Sequence, residues 1–118
     1  MPADPRAFAG IAMMGGPMSV NDPLPWIEPT LAFIRAAVAA EVPVVVVDVM
    51  RGGPSTGIPA KSEQSDVNLA LNGMHGDAPR IVIAPNSVAD CLAATQWAVH
   101  LAESLQAPAI VLSDHFLG

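Results

Sequence analysis

The residues of this chain best suited to chemistry lie in DVMRGGPSTGIPAKSEQSD, residues 48–66. Arg51 directly follows the apolar run VPVVVVDVM and precedes a loop holding Gly52, Gly53, Pro54, Ser55, Thr56, Gly57 and Pro59. A guanidinium meets a carboxylate through two parallel hydrogen bonds, so an arginine at the mouth of a strand reads as a clamp for an anionic group. The commoner use of such an arginine is a solvated side chain, here one able to pair with Asp48. The residue types leave both readings open. The glycines allow turns with φ > 0 and close backbone approach, but GGPSTG is not a phosphate loop, because the GxxxxGK[ST] spacing is missing and no GxGxxG follows a strand. Asp48 and Glu63 bracket the loop and act as an acid–base pair only if the loop folds them together. Helix capping and solvation account for the two carboxylates equally well.

A second glycine loop, MMGGPMS at 13–19, offers Gly15, Gly16 and Pro17 as an approach site for a cofactor, or as a plain turn. His75, His100 and His115 are too dispersed for metal-ligand spacing, so no metal site is expected. His100 falls on the polar side of its helix near Glu103. Cys91 falls on an inward helical stripe, where a thiol is an inert small hydrophobe. No GxSxG elbow is present. Trp26 and Trp97 are expected to fill space against neighbouring elements.

Four short apolar runs carry these loops: 7–14, 42–50, 79–85 and 108–114. None alternates polar with apolar residues, as strands covered on both faces require, so a mainly parallel sheet is expected. Helical periodicity fills the gaps. In 28–41, Pro29 suits the first turn and Leu31, Ile34 and Val38 share a face. In 62–74, Ser62 caps, Val67, Ala70 and Leu71 form the buried side and Gly73 marks the stop. In 86–106, Ser87 caps with Asp90 three residues on, and Val88, Cys91, Leu92, Thr95, Val99 and Ala102 recur at helical spacing. The order β-α-β-α-β-α-β predicts a three-layer α/β sandwich in one domain over 1–118, with ligands beyond the carboxyl ends of the strands.

Composition narrows the partners. At 118 residues the chain can bury a core of its own. A net charge of −6 with five dispersed basic residues excludes a nucleic-acid interface. Every apolar run is broken well short of the ~20 residues of a membrane span, the opening residues show no basic n-region followed by an apolar h-region, and the single Cys91 forms no internal disulfide. A cytoplasmic protein is expected, with neither nucleic acid nor membrane as partner.

The stretch from Val42 to Cys91, followed by LAESLQAPAIVLSDHFLG, resembles the alpha subunit of 2-oxoacid:ferredoxin oxidoreductases acting on 2-oxoglutarate or pyruvate. RGGPSTGxP, EQSD, HGDAPR, the IAPxSxxDC stretch and SDxxLG stand in family order over residues 42–118. The resemblance implies the pyrimidine-binding domain of a thiamine-diphosphate enzyme, a six-stranded parallel sheet that receives the aminopyrimidine end of the cofactor. A beta subunit would hold the diphosphate and its Mg. It implies that Arg51 lies beside the bound 2-oxoacid, with Gly52, Gly53, Ser55 and Thr56 as loop contacts. No catalytic residue is assigned to this chain.

The departures from the family pattern also carry information. MMGGPMS keeps a Gly-Pro pair but lacks the hydroxyls of the family's TSGPG-like turn, and Ala60 stands where the family has threonine. The family domain carries two earlier strands, one with a substrate loop and one with the glutamate that protonates the aminopyrimidine. The residues before Ala7 do not supply them. The expectation is therefore the C-terminal part of that domain, with about four strands equivalent to the third to sixth in the order 3-4-6-5. Such a piece would fold but be inactive alone, binding thiamine diphosphate weakly or not at all. Its parent would take a 2-oxoacid and CoA and pass electrons to ferredoxin. The alternative is a stand-alone, non-catalytic interaction module derived from the same domain. In either case an open sheet edge allows self-association into a homo-oligomer.

Overall fold

The computed structural model describes residues 4–14, 21–50, 52, 64, 66–73 and 76–117. Within them run β1 (Ile11–Met14), α1 (Ile27–Ala39), β2 (Val44–Met50), α2 (Asp66–Asn72), β3 (Ile81–Ile83), α3 (Val88–Leu105) and β4 (Ala109–Asp114). The four strands form one parallel sheet in the order β1-β2-β4-β3. The expected α/β architecture is present.

Two strands are shorter than their apolar runs. Residues 7–10 do not pair, because Pro5–Ala7 form a 3-10 turn whose first amides are held by the Asp4 side chain, which accepts from the Arg6 backbone N–H at 3.0 Å. Of 79–85 only Ile81–Ile83 pair with β4, since Pro79 and Pro85 flank them and have no N–H to offer a ladder.

Residues paired in parallel register point to the same face of the sheet, which sorts the core into two halves. Val45, Ala109 and Val111 pack under Ala98 and Ala102 of α3, with Val47, Ile81, Ile83 and Val99 around them. On the other face Met50, Ile110 and Leu112 pack against Ala70 of α2, joined by Val67 and Val82. The sheet thus lies between α2 and α3, giving three layers. Topology explains the arrangement: the crossover from β2 to β3 and the crossover from β3 back to β4 run in opposite directions, so equal handedness places their helices on opposite faces.

The buried stripe of α3 differs from the one its periodicity predicts. Ala94, Ala98 and Ala102 form the line against the sheet, while Val88 and Leu92 are 68% and 69% exposed. Alanines let the helix backbone approach closely, and this rotates the larger residues to the flank. Val99 shares that flank and points toward β1: a Cβ placed on Gly10 would lie 4.0 Å from Val99 Cγ1. Similar shifts occur in the other helices. In α1 the buried residues are Ile27 and Ala37 and Val38 is exposed; in α2, Ala70 is buried and Leu71 is exposed. Ser62 lies outside the described residues.

Helix ends follow local chemistry. Ser87 Oγ accepts from the Asp90 N–H at 3.2 Å and the Asp90 carboxylate accepts from the Asn86 N–H at 3.0 Å, so both residues of the expected cap act. Helix α1 ends in a Schellman motif, with Val42 N–H donating to Ala37 O and Glu41 N–H to Val38 O. Glu41 takes the left-handed conformation there, φ 58°, as Gln106 does after α3, φ 51°. Gly73 closes α2 with its N–H on Leu69 O at 2.8 Å, and a Cβ at this position would stand 2.6 Å from that same carbonyl oxygen.

Candidate functional site at the carboxyl edge

Both glycine loops that the sequence marks for chemistry leave the sheet at its carboxyl edge, and the strand register sets their spacing. Met14 is paired with Val47, and Met50 with Asp114. The loop bearing Gly15, Gly16 and Pro17 therefore departs beside Val47, three residues before Arg51's loop leaves the adjacent strand, about 10 Å along it. The Arg51 loop in turn departs beside the turn that follows Asp114. Gly15, Gly16, Pro17, Arg51, Gly53, Ser55, Thr56, Glu63 and His75 themselves lie outside the described residues. Gly52 is a half-buried bend. The strands thus place the origins of both glycine loops side by side.

Around these origins stand three carboxylates, those of Asp48, Asp66 and Asp114. Asp48 stands opposite Leu112 in the ladder, on the face that α2 covers. Burial, with the Asp66 carboxylate in the first turn of α2 second, pushes its carboxyl above the ordinary aspartate value. The neighbour that sequence reasoning missed is therefore Asp66. Strand alternation supplied a signal, since it puts Asp48 on one face with Val46 and Met50, toward the following helix. Asp114 Oδ1 accepts from the Phe116 N–H at 2.8 Å and Asp114 O accepts from Leu117 N–H at 3.1 Å, which fixes the turn SDHFL. His115 and Phe116 are exposed on that turn, Phe116 at 86%.

The amino end of α3 also reaches this edge, but Ser87 Oγ accepts from the Asp90 N–H there and the Asp90 carboxylate, which accepts from the Asn86 N–H, places a negative charge in the first turn that opposes an anion. Among the described residues, the carboxylates at the edge therefore suit a neutral group with N–H donors rather than a diphosphate. No three His, Cys, Asp or Glu among the described residues come together as metal ligands.

The remaining candidates separate from the edge. Cys91 is half-buried, and its thiol donates to Ser87 O at 3.4 Å. His100 is exposed on α3, its ring 5.4 Å from that of Trp97. Neither tryptophan fills core space as expected: Trp97 is 55% exposed on the outer side of α3, and Trp26 is 45% exposed where α1 begins. The core under α3 is closed by alanines and leaves no room for an indole. No helix among the described residues is long and apolar enough to cross a membrane.

A parallel α/β sheet with paired glycine loops at its carboxyl edge defines a class of ligand-binding domain. Comparison with known proteins gives the family. Residues 32–118 match the model of the pyruvate flavodoxin/ferredoxin oxidoreductase thiamine-diphosphate-binding domain, and the chain belongs to that family. It is 43% identical over 104 residues to the 2-oxoglutarate oxidoreductase subunit KorA of Mycobacterium tuberculosis, covering 87% of this chain and 16% of that protein. The 2-oxoglutarate synthase subunit KorA of Methanothermobacter marburgensis is 46% identical over 82 residues, covering 70% of this chain and 22% of the relative. Among solved structures, a 2-oxoglutarate:ferredoxin oxidoreductase from Magnetococcus marinus, with 2-oxoglutarate, coenzyme A and succinyl-CoA bound, superposes with a TM-score of 0.62. That match is 46% identical and covers 90% of this chain and 17% of the other. The chain spans about a sixth to a quarter of the length of such relatives.

Proposed function

We propose that this chain is part of the pyrimidine-binding domain of a 2-oxoacid:ferredoxin oxidoreductase alpha subunit, with Arg51 as its contact to the 2-oxoacid carboxylate. The observation that carries the reading is the family match over residues 32–118, which runs through the whole Arg51 loop. In the complete enzyme, thiamine diphosphate supplies the nucleophilic carbon and the electron sink for decarboxylation. This chain contributes the carboxyl edge. Its carboxylates at 48, 66 and 114 favour the neutral aminopyrimidine end, while a beta subunit supplies the cations for the diphosphate and its Mg. Gly52 and Gly53 bring the backbone close to that contact, with Ser55 and Thr56 beside it and Gly15, Gly16 and Pro17 as the neighbouring loop.

The exposed flank of α3 at Val88 and Leu92 supports a larger sheet, because it lies on the side of β1, where the described residues supply no further strand. Additional strands beside β1 would make the four described here the third to sixth. The whole of residues 1–118 then serves as one unit of that domain. The complete assembly takes CoA as acyl acceptor, delivers electrons to ferredoxin and works in the cytoplasm.

Two measurements test the reading. In the complete enzyme, Arg51→Ala is expected to raise KM for the 2-oxoacid about 10- to 100-fold, the loss of one charge-assisted contact, with Arg51→Lys recovering part of it. An unchanged KM removes Arg51 from the site. The isolated chain is expected to show no oxidoreductase activity and no tight thiamine diphosphate binding; nanomolar affinity in calorimetry would overturn this division of the cofactor between subunits.

A further inference from the structure

Among the described residues one polar side chain is buried, that of Ser113 near the carboxyl end of β4, 8% exposed. Strand alternation puts it on the α3 face with Ala109 and Val111, the β4 residues packed under α3. Its ladder partner in β2 is Val49, two residues before Arg51 in the chain. On the other side β3 stops pairing at Ile83, opposite Val111, so Ser113 has no partner in that strand. Its hydroxyl makes no hydrogen bond among the described residues and, unlike Arg80 Nη1, is not sealed from solvent. A buried hydroxyl without a partner costs stability. Alanine and valine take the neighbouring positions of this face in β4 and leave no such orphan, so packing alone does not call for a serine here.

Ser113 also stands where the topology opens a crevice. The helix after β2, α2, covers one face, the helix after β3, α3, covers the other, and β4 lies between those two strands. The two connections therefore part over the carboxyl end of β4, the place where open α/β sheets take their ligands. The sheet divides this end by charge. Asp48 and Asp114 alternate with residues that face α2, and Asp66 belongs to α2 itself, so these three carboxylates lie on the α2 side. On the α3 side the Asp90 carboxylate is offset by the amino end of its own helix and by the Asn86 N–H, and Ser113 offers a free O–H. An anionic group is repelled on the first side and meets a donor on the second.

We propose that Ser113 is a second substrate-binding residue, its hydroxyl donating to a carboxylate oxygen of the 2-oxoacid held at Arg51. The inference rests on Arg51 as the carboxylate contact and adds to it a side of the sheet, because it seats the acid over β4 toward α3 and away from Asp48 and Asp66. A hydroxyl suits this place: it gives an anion one directed hydrogen bond and brings no charge of its own into a half-closed crevice.

The test is steady-state kinetics of the complete enzyme carrying Ser113→Ala, beside Arg51→Ala, with thermal unfolding of the 118-residue chain as the control on structure. Ser113→Ala is expected to raise KM for the 2-oxoacid about 10-fold, the loss of one hydrogen bond to a charged group, and to leave kcat within about 2-fold and KM for CoA unchanged. In the chain, Ser113→Ala is expected to leave Tm within about 2 °C or to raise it, since the hydroxyl has no partner to lose. If Arg51→Ala raises KM and Ser113→Ala does not, the Ser113 contact is overturned and the Arg51 contact stands; if neither raises it, both fall. A Tm lowered by more than about 4 °C shows the hydroxyl bonded within the fold, and overturns the Ser113 contact whatever the kinetics.

Discussion

Replacing Asp48 by asparagine is expected to stabilise the fold at neutral pH and to leave it unchanged in acid. Burial raises the Asp48 carboxyl above its ordinary value, and the Asp66 carboxylate adds to the effect. A carboxyl whose folded pKa lies above its unfolded one binds more protons in the folded state, so stability falls as pH rises through that window. Asparagine keeps the shape and cannot ionise, which removes both causes. Asp48 is only half-buried, so the full cost of a buried charge does not apply. After discounting for solvent screening, the gain at pH 7 is about 0.5–1 kcal/mol, or about 2–5 °C in Tm for a chain of this size. Thermal unfolding of both proteins from pH 7 to about pH 3 measures it, and the difference should close at the acid end, where the aspartate is protonated folded and unfolded. Asp66→Asn should give a smaller gain in the same direction. The opposite result, Asp48→Asn less stable at pH 7, would refute this account and show Asp48 serving a cation, the pairing with Arg51 that the sequence leaves open.

Other variants probe the packing that holds the candidate site. Gly73→Ala should cost about 1–3 kcal/mol in denaturant unfolding, because its Cβ would meet the Leu69 carbonyl at 2.6 Å. A loss no larger than 0.5 kcal/mol, approximately the scatter of surface changes, would show that the last turn of α2 rearranges to relieve this contact. Leu112→Ala, removing a side chain 2% exposed between α2 and the strands, should cost about 2–5 kcal/mol by the same assay. Ser87→Ala should cost about 1 kcal/mol by removing the cap of α3. Trp97 fluorescence in a Trp26→Phe background should be quenched by iodide nearly as well as free indole; a protected, blue-shifted emission would place Trp97 inside.

Much of the architecture was legible because its signals are local. Four apolar runs without alternation mark the strands, and VVVVDVM and AIVLSD are the two that the structure pairs on both sides. Ser87 and Asp90 announce the start of α3, and both bonds form. Where the runs overstate the strands, prolines 79 and 85 and the Asp4 turn explain it in terms also present in the chain.

Which helical face meets the sheet was decided only in three dimensions. Hydropathy ranks Val88 and Leu92 above alanine, yet the sheet takes the line Ala94, Ala98 and Ala102, because close backbone approach gains more contact than a larger side chain held further out. The exposed tryptophans follow from the same preference. The Arg51 motif was legible as a pattern of residue types, and family resemblance gave it a role. The proximity of Asp48 to Asp66, eighteen residues later, was not legible, because strand register and crossover direction set it. The sequence by itself thus determined the elements, their order and the chemistry of the glycine loops. Tertiary structure decided which faces touch and which charges share a low-dielectric space, since both depend on contacts between residues distant in the chain.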